Sequence, residues 1–86
     1  MTVHAERDGD HIILTAPLVL KDRAKEVPGA RYIAKERAWK YPLSWAHCVM
    51  LRGVFGTELE VGPALVEWAT ETKRRVDAAL AIKEQR

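Results

Sequence analysis

Apolar residues alternate with polar ones on both sides of Asp8-Gly9, as Val3 and Ala5 before it and Ile12 and Leu14 after it. A period of two marks a strand buried on one face, and Asp-Gly is a strong two-residue turn signal, so Thr2 to Ala16 reads as a β-hairpin. Val3, Ala5, Ile12 and Leu14 then share its core face, while His4, Glu6, His11 and Ile13 share the other. At Pro17 the period changes. Leu20, Ala24 and Val27 recur at helical steps, which predicts a short helix from Pro17 to about Glu26, with Lys21, Arg23 and Lys25 away from its apolar line. Val27 precedes Pro28, a position that disfavours helical geometry, and Gly29 frees the chain to turn.

A second hairpin is expected with strands from Arg31 to Ala34 and from Ala38 to Pro42, around a tight loop of two or four residues at Glu36 and Arg37. Its parity places Tyr32, Ala34, Trp39 and Tyr41 on one face and Arg31, Ile33, Lys35 and Lys40 on the other. Ser44 follows as the N-cap of a helix running to about Val54, with Trp45, Cys48, Val49, Leu51 and Phe55 as its apolar contacts and Gly53 and Gly56 loosening its end. Thr57 to Val61 alternates again and predicts a short strand, at an edge, with Leu59 toward the core. Gly62-Pro63 then opens the longest helix, whose stripe is Leu65, Trp68, Ala69, Thr72, Val76, Ala79 and Leu80. The predicted class is α+β: a small, mainly antiparallel sheet of two hairpins and an edge strand, with two to three helices, the C-terminal one long.

Composition narrows this picture without changing it. Eighty-six residues make one domain near the lower limit for a single hydrophobic core. One cysteine excludes an internal disulfide framework and fits a reducing cytoplasm, and no Cys/His spacing suggests a zinc site. His4 and His11 are accordingly expected as surface histidines. The apolar runs are too short to cross a bilayer, and the N-terminus lacks the layout of a signal peptide. A formal net charge of +2 decides nothing about partners.

Charge becomes informative only locally. Val27 to Trp45 holds four of the six aromatics, and four Lys/Arg against one Glu. A hairpin with an aromatic face and a cationic face has two readings: a surface that neutralises nucleic-acid phosphates, or a half-buried hairpin whose solvated face carries basic residues to blunt an edge. The order of residues favours the first. Val27-Pro28-Gly29-Ala30-Arg31-Tyr32, the charged turn Lys35-Glu36-Arg37, Trp39-Lys40-Tyr41-Pro42-Leu43 and the helix closing at Val54-Phe55-Gly56 together resemble the HARP domain of annealing helicases and the related small N-terminal domain of UvsW-type phage helicases. The resemblance covers about thirty of the 86 residues directly.

That resemblance implies a non-catalytic accessory domain, the N-terminal part of a longer superfamily 2 helicase, that engages branched, forked or duplex DNA and helps place a motor carried in the same polypeptide. It also implies a cytoplasmic setting, that of the host if the protein is phage-encoded. Phosphate contact is expected from Arg31, Lys35, Arg37 and Lys40, with Lys21 and Lys25 as extensions if the first helix packs beside the hairpin. Trp39, Tyr41 and Trp45 are read as core rather than as stacking platforms for bases. No catalytic residue, metal or cofactor is expected: the chain has no G-x-x-x-x-G-K-[ST] loop, and His47 and Cys48, as helix neighbours, point in different directions. From Lys73 onward five Lys/Arg stand against two acids, which fits a helix continuing into a further segment or the frayed tail of a small protein. The rival class is a protein-interaction module that docks through its sheet edge or the C-terminal helix.

Overall fold

The structure is a computed structural model that describes the chain over residues 2–84, and its side chains over residues 2–79. Five strands, β1 (Val3–Asp8), β2 (His11–Thr15), β3 (Arg31–Ile33), β4 (Ala38–Pro42) and β5 (Leu59–Val61), form one sheet in the order β3-β4-β2-β1-β5. Three helices, α1 (Lys21–Lys25), α2 (Trp45–Phe55) and α3 (Pro63–Glu84), complete an α+β domain. Both predicted hairpins are present, and they join through an antiparallel β2–β4 pair in which Ile12 faces Tyr41 and Leu14 faces Trp39. The predicted edge strand is at the edge, and it runs parallel to β1. A parallel pair needs a long crossover, and here the rest of the domain supplies it.

The first turn differs in detail from the sequence reading. Asp8 pairs with His11, so Gly9 and Asp10 are its central residues, and Gly9 takes the positive φ of 59° that glycine tolerates. The register moves by two residues relative to a turn centred on Asp8-Gly9, and a shift of two leaves every side chain on its expected face. Val3, Ala5, Ile12 and Leu14 are buried as predicted, alongside Trp39 and Tyr41.

All three helices cover this one face. Ala24 and Val27 from the α1 segment, Leu51 and Phe55 from α2 and Leu65 from α3 close the core over the sheet. The Tyr41 hydroxyl donates to the Ala24 carbonyl at 2.7 Å and fixes α1 over the central strands. Ser44 caps α2 as expected, accepting from the His47 backbone N–H at 3.0 Å, and Gly56 ends that helix with a φ of 56°. The cap of α3 comes from another element: Glu6 on β1 accepts the Leu65 backbone N–H at 2.9 Å.

Several expectations are corrected. Tyr32 lies on the aromatic face, yet it is 44% exposed because β3 is the outer strand and the helical layer does not reach it; it leans on Trp39, with ring centroids 5.0 Å apart. Val49 is 53% exposed rather than packed, since it sits on the flank of α2 turned from the sheet. The segment after Pro17 begins as a 3-10 turn over Leu18–Leu20 before the five residues of α1, and the last strand starts at Leu59 after a 3-10 turn over Gly56–Glu58. Leu65 and Trp68 hold α3 to the body, whereas Ala79 further along the stripe is exposed. Leu80 lies outside the described side chains. No helix among the described residues is long and apolar enough to cross a membrane.

Candidate nucleic-acid interface

The face of the sheet away from the helices is left to solvent, and strand parity decides what it carries. Arg31 on β3 stands directly across from Lys40 on β4, and Lys40 across from Ile13 on β2. Cross-strand partners hold their Cβ atoms about 4.5–5.5 Å apart, and like charges in that position repel. His11 shares this face diagonally from Lys40, opposite Pro42. Acids on the same face lie toward the other edge: Glu60 on β5 pairs with His4 at 2.9 Å, and Glu6 is engaged by the backbone of Arg7 and Leu65. The open face is therefore polarised, basic over β3–β4 and acidic over β1–β5.

Lys35 and Arg37 belong to the loop over residues 34–37 that joins β3 to β4, and both are exposed. Backbone bonds from Glu36 to the Ile33 carbonyl and from Arg37 to the Ala34 carbonyl tighten it. Arg37 closes the loop with a φ of 52°, the one non-glycine positive φ among the described residues. That left-handed conformation costs a side-chain-bearing residue roughly 1–2 kcal/mol relative to glycine. Among the described residues the side-chain ion pairs are His4–Glu60 and Arg23–Glu58, so Arg31, Lys35, Arg37 and Lys40 carry charges that no described carboxylate neutralises at close range.

Lys21 and Lys25 lie elsewhere. They are exposed on α1, and α1 packs on the covered face through Ala24, so the sheet separates them from Arg31 and Lys40. Arg23 between them is structural: it is half-buried, lies over the Phe55 ring at 5.3 Å, donates to the Val54 carbonyl and pairs with Glu58. The six candidate cations thus form a basic hairpin of four and a separate helical pair.

Two residues that the pattern of charges does not single out shape the base of the hairpin. His47 ties the Pro28-Gly29 turn to α2: its Nε2 donates to the Pro28 carbonyl at 2.8 Å, and its Nδ1 accepts from the Ser44 hydroxyl at 2.6 Å. The carbonyl offers only lone pairs, so the ring proton resides on Nε2. Gly29 holds a φ of 81°, and a Cβ there would stand 3.2 Å from Pro42 Cδ and 3.5 Å from His47 Nε2. The Ser44-x-x-His47 spacing, an N-cap and its third helical position, was the available sequence signal for this latch. Cys48 beside it is half-buried, and burial pushes its thiol pKa up, away from the reactive thiolate. Among the described residues no group of His, Cys, Asp and Glu is arranged to hold a metal ion.

Comparison with protein-family models, curated proteins and solved structures finds no match to this chain.

Proposed function

We propose that this domain is a non-catalytic DNA-binding module that grips the phosphate backbone through the β3–β4 hairpin, and that it serves a superfamily 2 helicase at branched or forked DNA. The observation that carries the DNA reading is the Arg31–Lys40 pair, two cations held directly opposite each other on an open sheet face with no acid between them. A hairpin with only a structural role gains nothing from that repulsion, whereas a polyanion laid across it relieves the repulsion and releases counterions. Arg37, in a conformation better suited to glycine, adds a charge at the hairpin tip at a cost to the fold. Contacts of this kind recognise backbone and shape more than base sequence, which suits a module that positions a motor. The helicase part of the reading rests on the resemblance of Val27 to Gly56 to the HARP and UvsW-type domains.

A protein-interaction role has its own supporting feature, an apolar groove of about 360 Å³ between α2, α3 and β5, lined by Trp45, Leu59, Val61, Leu65 and the exposed Val49 and Val66. Salt separates the two readings. Lys35→Ala, Arg37→Ala and Lys40→Ala combined should leave the thermal melt close to wild type, weaken binding to a labelled fork and reduce the slope of log affinity against log salt by about 0.9 per lost contact. Unchanged affinity and slope in a folded variant would exclude the hairpin as the DNA surface and leave the groove as the better candidate.

A further inference from the structure

At the base of the hairpin, the start of β2, the turn at Gly29, β3 and β4 border a cleft of about 380 Å³ lined by His11, Gly29, Arg31, Lys40, Tyr41 and Pro42. Strand pairing alone brings its polar groups together: Arg31 faces Lys40, and His11 stands diagonally from Lys40 on the next strand, two residue pairs along. Arg31 and His11 are exposed and Lys40 is half-buried, and no carboxylate lines the cleft. The nearest acid by register on this face is Asp8, across from His11 on the side away from Lys40. The floor is closely packed: a Cβ at Gly29 would stand 3.2 Å from Pro42 Cδ, and the turn before it is bonded to His47.

We propose that this cleft is a seat for a single phosphate group, held by Arg31, Lys40 and His11 together. The guanidinium offers a planar fork of N–H donors that matches two phosphate oxygens, Lys40 supplies a point charge, and the His11 ring supplies a third donor from the neighbouring strand. An oxyanion placed between Arg31 and Lys40 turns their repulsion into attraction to a common centre. The cleft is wider than a bare ion needs, which leaves room for the sugars that flank a phosphodiester. The seat rests on the DNA reading only for the source of the phosphate, a nucleic-acid backbone rather than a free phosphate compound. On that reading it anchors the backbone, and Lys35 and Arg37, in the turn beyond Ile33 and Ala38 and so at most about 10–13 Å further along the hairpin at 3.3 Å per residue, reach a different phosphate.

The test is a pair of titrations of the isotope-labelled chain followed by NMR, one with inorganic phosphate and one with a short DNA duplex, each repeated on His11→Ala. His11 is exposed, so the variant is expected to fold. Both ligands should shift the signals of His11, Gly29, Arg31 and Lys40 together, and His11→Ala should weaken each by roughly two- to tenfold, the value of one ordinary hydrogen bond made at an exposed site. If phosphate binds there and DNA does not, the seat stands and the DNA reading falls. If DNA binds through the hairpin tip while the cleft signals stay still, the DNA reading stands and the seat is overturned. Phosphate shifts scattered over surface lysines, or equal binding by His11→Ala, would also overturn it.

Discussion

Tyr41 shows how one residue serves both the core and the outline of the site. Its ring is fully buried between the sheet and α1, its hydroxyl donates to the Ala24 carbonyl, and its flanking residues Lys40 and Pro42 face the open cleft. Burial pushes its pKa up from 10.0 to about 12. An acid whose folded pKa is raised contributes nothing to the pH dependence while both states hold the proton. The unfolded chain loses its proton first as pH passes 10.0, so stability falls from there until the folded pKa near 12 is reached. The loss should be on the order of 3 kcal/mol, and Tyr41→Phe should abolish that component of it. Denaturant melts across this range, with tyrosinate absorbance followed in parallel, would check both. Tyr41→Phe should itself cost roughly 1–3 kcal/mol at neutral pH, because the Ala24 carbonyl keeps its burial and loses its donor.

Among the elements, the two hairpins were the most legible in the sequence. Each pairs a period of two with a turn signal, and parity survives a register shift of two, which is why Val3, Ala5, Ile12 and Leu14 reached the core despite a displaced turn. The Ser44 cap and the start of α3 at Pro63 were equally plain. What local pattern does not encode is which strands meet. The β2–β4 pairing that sets His11 beside Lys40, the parallel return of β5, and the packing of α1 on the covered face are all non-local. For that reason local pattern shows neither the approach of His11 to Lys40 nor the position of Lys21 and Lys25 across the sheet from the hairpin's basic face.

The junction of β1 and α3 is another non-local feature, and it makes a quantitative prediction. A Cβ at Gly62 would lie 1.7 Å from the Glu6 Oε2 that stands beside it, so Gly62→Ala must push the Glu6 carboxylate off the Leu65 N–H. Gly62→Ala and Glu6→Ala should each destabilise by about 1 kcal/mol, the typical value of a helix cap, and the double variant should cost little more than either alone. Additive losses in a denaturation double-mutant cycle would show that the carboxylate does not act through the cap.

On the scale of the whole molecule, a two-layer domain measuring 48 × 22 × 21 Å separates its tasks by face. Helices take the apolar side of the sheet. The solvent side sorts its charges, basic at β3–β4 and acidic at β1–β5, so that a net charge of only +2 conceals a concentrated cationic edge. The proposed DNA module and the proposed phosphate seat both rest on that sorting, which composition alone does not show. The most direct test is the salt dependence of fork or duplex binding by the wild-type chain beside a Lys21→Ala, Lys25→Ala variant. With Arg31, Lys35, Arg37 and Lys40 on phosphates, log affinity should fall against log salt with a slope of about −3 to −4 for duplex DNA, and the double variant should reproduce it. A wild-type affinity that ignores salt, or a slope that collapses with Lys21 and Lys25, would contradict the assignment of DNA to the hairpin face.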